Sequence, residues 1–85
     1  MNFTSQTSVA GLIVNRIREL REQRMAQAAN PEVWTQKGLA NRLGVTRQTV
    51  VSMEKGTYNP SLMLAFKLAR TFEMRIEEIF SYRDD

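Results

Sequence analysis

The side chains that carry most enzyme and metal chemistry are missing from this 85-residue sequence. It has no histidine and no cysteine, which removes the commonest general base, the commonest metal-binding imidazole, every thiolate ligand and any disulfide framework. The carboxylates fall singly or in pairs on what read as helix surfaces. No nucleophile–base pair and no metal set can be assembled, so the sequence predicts no enzyme, no catalytic residue, no metal and no cofactor. What remains is hydrogen-bonding and cationic chemistry. The net charge of +3 is unevenly spread: residues 1–56 hold eight Lys/Arg against four Asp/Glu, and residues 57–85 hold four against five. A basic N-terminal two-thirds suits contact with phosphates. Within it, Arg47, Gln48 and Ser52 are spaced to share one polar face of a short helix.

The elements that must position these residues follow from local signals. Ile13, Ile17, Leu20 and Arg24 recur at helical spacing among charged residues and predict an amphipathic first helix. Met25–Ala29 are good helix formers that extend it to Asn30-Pro31, where it stops. Thr35 is an N-cap for a second helix over 36–43, with Leu39, Ala40 and Leu43 inward. Gly44 ends that helix in a left-handed conformation. Thr46 caps a third helix, Arg47–Lys55, with Val50 and Met53 inward, and Gly56 ends it. Thr57–Pro60 form a turn. Ser61 caps a fourth helix, 62–72, with Leu62, Ala65, Phe66 and Ala69 on one stripe. A short fifth helix covers about 76–80. No stretch alternates with period two, so no sheet is expected. Residues 1–13 read as an arm or the start of the first helix, 14–82 as the domain, and 83–85 as a tail.

Two short helices joined by a tight glycine-containing turn are the sequence form of a helix-turn-helix. Ala40 is small enough for close helix approach, Gly44 permits the turn, and Val45 plugs the angle. Val50 and Met53 hold the third helix to the core and leave Arg47, Gln48 and Ser52 free.

The run from Thr35 to Gly56 (TQKGLANRLGVTRQTVVSMEKG) resembles the motif of the Cro/C1-type (Xre family) helix-turn-helix regulators. The likeness continues through Tyr58–Ser61 and Ile76–Phe80, and upstream through Asn15–Arg21. The resemblance implies an all-α, five-helix lambda-repressor-like fold whose third helix enters the major groove of double-stranded DNA. It also implies the roles of individual residues. Arg47, Gln48 and Ser52 would reach base edges, where arginine suits guanine and glutamine suits adenine. Gln36, at the start of the second helix, would hold a phosphate with help from the helix N-terminus. Thr46, Thr49, Lys55 and Tyr58 would meet other phosphates. Glu54 would pair with Arg21.

Departures from the pattern lie around that motif. The connection over 26–33 is longer than usual by roughly eight residues. It reads either as a longer first helix with a wider loop, which is cheap, or as a surface for a partner. Gly38 stands inside a helix, Glu73 occupies a cap position suited to glycine, and Trp34 reads as core. The sequence predicts a transcriptional regulator, a repressor by expectation, acting as a cytoplasmic homodimer without a membrane segment. The expected interface is Ile79, Phe80 and Tyr82 with the Phe3–Val14 segment. The alternative is an antitoxin-like module whose helix-turn-helix autoregulates while Val9–Val14 and the long connection bind a protein partner.

Overall fold

The computed structural model describes residues 11–84. Strand β1 (Gly11–Asn15) leads into helix α1 (Ile17–Gln27), a single 3-10 turn (Pro31–Trp34), and helices α2 (Gln36–Leu43) and α3 (Arg47–Lys55). Helices α4 (Leu62–Phe72) and α5 (Ile76–Ile79) follow, and strand β2 (Phe80–Asp84) closes the order. Expectations that fall on residues 1–10, including the Phe3–Ala10 part of the expected interface, lie outside the described residues. Among the described residues no helix is long and apolar enough to cross a membrane.

Side chains of the hydroxyl caps set three of the helix starts. The Thr35, Thr46 and Ser61 hydroxyls accept from the backbone N–H of Gly38, Thr49 and Leu64, satisfying donors that a helix start leaves unpaired. Gly44 ends α2 with φ 75°, and Val45 N–H closes back on the Ala40 carbonyl. These bonds turn the chain within three residues, so α2 and α3 meet at a fixed angle.

The core gathers Ile17 and Leu20 of α1, Leu39, Ala40 and Leu43 of α2, Val50 and Met53 of α3, Leu64, Leu68, Ala69 and Phe72 of α4, and Ile79. Trp34 fills the junction of α1, α2 and α4, its ring stacked on Phe72 with centroids 5.3 Å apart. Arg24 and Arg42 flank the indole at 5.4 and 4.2 Å. Burial, and then the nearness of Arg24, lowers the Arg42 guanidinium below its ordinary pKa.

The structure corrects several expectations. A two-stranded antiparallel sheet is present: β1 pairs β2 from Gly11 opposite Asp84 to Asn15 opposite Phe80. Ile13 therefore sits in a strand, not in the first helix, and Arg83 and Asp84 are strand residues rather than a tail. Helix α1 ends at Gln27, two residues early, and Asn30-Pro31 starts the 3-10 turn instead of stopping α1. The long connection folds inward, with Ala28 and Val33 against the core beside Met25 of α1. Helix α4 keeps half of the expected stripe: Ala65 and Ala69 are buried, but Leu62 and Phe66 are exposed, and Leu64, Leu68 and Phe72 are buried instead. Ile79 is 1% exposed, so it belongs to the core of its own chain and is not free to form an interface.

Gly38 is where the 3-10 turn and α2 touch. A Cβ at this position would stand 2.2 Å from the Glu32 carbonyl oxygen and under 3 Å from Val33 backbone atoms. Only glycine lets the turn lie directly on the helix.

Candidate nucleic-acid interface

Helix α3 has one buried side, Val50 and Met53, both at 0% exposure. Its other side presents Arg47 and Gln48, fully on the surface, and Ser52, half-buried one turn on. The Gln48 amide lies 3.4 Å from the Ser52 hydroxyl, so the two form one polar strip. Thr46, Thr49 and Tyr58 line a shallow hollow with Gln48 and Ser52, and Thr46 Oγ1 lies 3.0 Å from Thr49 Oγ1. The structure thus brings together five of the eight residues singled out as polar contacts: Thr46, Gln48, Thr49, Ser52 and Tyr58.

Gln36 and Lys55 lie on a second hollow at the other side of α3. It is shared with Arg18 of α1 and Val51 of α3. Arg18 was not singled out from the sequence. Its signal was present, a basic residue on the solvent side of the first helix, but nothing local said which neighbours that side would face. Val51 is half-buried there.

Arg47 joins the two hollows. Its Nη2 donates to Gln36 Oε1 at 3.1 Å, and Gln36 Nε2 donates to Glu54 Oε1 at 3.0 Å. Glu54 in turn receives Arg21 Nε at 2.6 Å and Arg21 Nη2 at 3.3 Å. Arg21 Nη1 donates to the Trp34 carbonyl at 3.2 Å. The Arg21 and Glu54 side chains are only 7% and 4% exposed. A buried, bidentate pair of this kind is held rigidly, because either charge alone in that place would be strongly unfavourable. The relay runs from the surface of α3 through α2 to α1 and the core, and its outermost link is a solvent-exposed hydrogen bond that turns Arg47 toward Gln36.

A second tether was missed from the sequence. Asn15 Nδ2 donates to the Met53 carbonyl at 2.9 Å, while Asn15 Oδ1 accepts from Ile17 N–H at 3.0 Å. One amide side chain caps the start of α1 and gives a second donor to the Met53 carbonyl in the last turn of α3, which also accepts from Gly56 N–H at 3.0 Å. Asn15 and Met53 are 38 positions apart, beyond any local pattern.

The described surface offers donors and cations on the exposed side of α3, with no group of acidic residues able to hold a metal among the described residues. A helix-turn-helix family model matches residues 33–79, a little over half of the chain. The chain belongs to the Cro/C1-type helix-turn-helix family. Similar proteins include the uncharacterized HTH-type transcriptional regulator MJ0272 of Methanocaldococcus jannaschii, 59% identical over 51 residues, covering 60% of this chain and 77% of the relative. The uncharacterized HTH-type transcriptional regulator YgzD of Bacillus subtilis is 41% identical over 66 residues, covering 78% and 88%. An uncharacterized HTH-type transcriptional regulator of Archaeoglobus fulgidus is 55% identical over 51 residues, covering 60% and 73%. The matched residues run from the 3-10 turn to α5. In this helix-turn-helix protein, β1, α1 and β2 lie outside the span that the family model matches.

Proposed function

We propose that this protein is a DNA-binding transcriptional regulator that reads a specific double-stranded site with the outward face of α3. Arg47, Gln48 and Ser52 take the base edges. Gln36, Thr46, Thr49, Lys55 and Tyr58 take phosphates on either side, and Arg18 adds a phosphate contact beside Lys55. The observation that carries this reading is the Arg47–Gln36–Glu54–Arg21 relay. It sets a guanidinium on the exposed helix face, hydrogen-bonded to Gln36 before any ligand arrives, which favours binding by partly ordering the side chain in advance. Two hollows flank that guanidinium: one is lined by hydroxyls and the Gln48 amide, and the other holds Gln36, Lys55 and Arg18 together with the Glu54 carboxylate and Glu22, which pairs with Arg18 at 3.1 Å.

In this reading the protein acts as a repressor, occupying a two-fold operator as a homodimer with half-sites about 34 Å apart. Selection of bound sequences from a random duplex pool tests it, and an enriched palindrome is expected. Arg47→Ala is expected to weaken binding of the selected site by about 1–3 kcal/mol and to relax preference at one position. Lys55→Ala is expected to weaken all sequences alike and to reduce the salt slope by about one unit. A pool with no enrichment would sink the reading.

A further inference from the structure

Two cations crowd the single indole of this chain. Arg24, in the last turn of α1, and Arg42, in the last turn of α2, lie 5.4 and 4.2 Å from the centre of the Trp34 ring. Arg24 also stands 5.7 Å from the centre of the Phe72 ring. Two guanidiniums against one side chain repel each other. Elsewhere on α1 charge is balanced locally: Arg18 pairs with Glu22 at 3.1 Å and Arg21 with Glu54 at 2.6 Å. Arg24 and Arg42 form no ion pair among the described residues. Glu32 and Glu73, which adjoin their backbone acceptors in sequence, pair with neither.

Both side chains are nevertheless held in place. Arg24 Nη2 donates to the Phe72 carbonyl at the end of α4, and Arg42 Nη2 donates to the Val33 carbonyl at 2.9 Å. A guanidinium carries five N–H donors in a planar fork. Each of these forks gives one bond to the described residues and keeps its other donors. Contact with aromatic rings engages the flat face of a guanidinium and leaves its donor edge free. Arg42 is exposed and Arg24 half-buried, so both are within reach of solutes.

The pair is built by the part of the chain that departs from the helix-turn-helix pattern. Arg24 precedes the matched span, 33–79, and the long connection delivers Val33 and Trp34. Gly38 lets the 3-10 turn that carries them rest on α2, which brings Val33 within reach of Arg42. Neither arginine lines the hollows beside α3, so a ligand here leaves the polar face of α3 free.

We infer that Arg24 and Arg42 form a binding site for a small oxyanion, a carboxylate or a phosphate, held between the two forks beside Trp34. Both anions match the spacing of guanidinium donors and form short, charge-assisted bonds with them. The occupant offsets the repulsion between the two cations and joins the end of α1 to the end of α2. Through the Phe72 carbonyl that link reaches α4. The folded chain alone brings these groups together, so binding stabilises it by mass action. The site is independent of DNA binding.

Titration of the full chain with inorganic phosphate, and separately with succinate, tests the site at an ionic strength held constant with sodium chloride. A saturable change in Trp34 emission and a rising thermal midpoint are expected with at least one of them. Response to phosphate alone assigns a phosphate ligand, and response to succinate alone a carboxylate. Arg24→Gln and Arg42→Gln are each expected to weaken binding at least about tenfold. Lys37→Gln, which removes one exposed charge elsewhere on α2, is expected to leave it unchanged. Where a glutamine variant unfolds, the lysine variant at the same position keeps the charge without the fork and is expected to bind at least about threefold more weakly. Binding that survives these substitutions overturns the proposal, as does an equal loss on Lys37→Gln, the mark of general charge screening. The absence of a saturable response to both anions at tens of millimolar overturns it as well.

Discussion

The α2–α3 corner and the β1–β2 ribbon are two ways of fixing the angle between short elements. In the corner, a hydroxyl cap, a left-handed glycine and a backbone bond from Val45 to Ala40 all act within a dozen residues. In the ribbon, every backbone pairing joins opposite ends of the described chain, such as Gly11 and Asp84. The corner is specified locally and then locked from below by the Arg21–Glu54 pair. The ribbon pairs residues far apart in sequence, Asn15 with Phe80 at its inner end, which the helical fold holds side by side. A stable platform carries the polar face, while the marginal element is left at the rim.

Substitutions can break this contrast, and the largest effect is expected at its buried lock. Glu54→Ala leaves the Arg21 guanidinium buried without its carboxylate and is expected to cost about 3–5 kcal/mol in chemical denaturation. A loss below 1 kcal/mol would mean that local capping alone sustains the corner. Gly38→Ala comes next. Helix propensity by itself favours alanine by about 1 kcal/mol, but the methyl would strike the Glu32 and Val33 backbone, so a net loss of about 1–3 kcal/mol is expected. Thermal unfolding gives the sign directly.

The ribbon should respond less. Leu12→Pro deletes a donor of the β1–β2 ladder, and the expected cost is about 1 kcal/mol or less, with the helical signal intact. A cooperative collapse of the helices would show that the ribbon is part of the folding unit. The smallest effect, of opposite sign, sharpens the comparison of caps. Glu73 closes α4 at φ 57°, the left-handed region that Gly44 occupies without strain. Glu73→Gly is expected to stabilise by about 0.5–1 kcal/mol, read as a rise in the denaturation midpoint.

The same division explains what could be read in advance. Helices over 36–43, 47–55 and 62–72 were legible because Thr35, Thr46, Ser61, Gly44 and Gly56 mark their ends by local chemistry. The strands were not, because five-residue segments carry little periodicity. Ile13 happens to stand four residues before Ile17, in helical step, and Phe80 follows directly on the turn of α5. The buried stripe of α4 was misjudged because Leu62, Leu64, Phe66 and Leu68 surround the helix with apolar residues, and only the neighbouring helices decide which face is covered. The polar face of α3 was legible as a set, since Val50 and Met53 fix the opposite side. Its supports were legible only in part. The Arg21–Glu54 pair was implied by the family resemblance, while Asn15, Arg18 and the Gln36 bridge depend on contacts distant in sequence.

Trp34 gives the molecule a built-in optical probe. It is the single tryptophan, stacked on Phe72 between two guanidiniums, and it lies in the core rather than on the polar face. Its emission will therefore shift to the red when the helices come apart, and a bound ligand on α3 will not quench it by contact. Its backbone carbonyl is the last acceptor of the relay that begins at Arg47. Any change in indole fluorescence on adding a duplex would then report movement carried inward through Gln36, Glu54 and Arg21, without an added label.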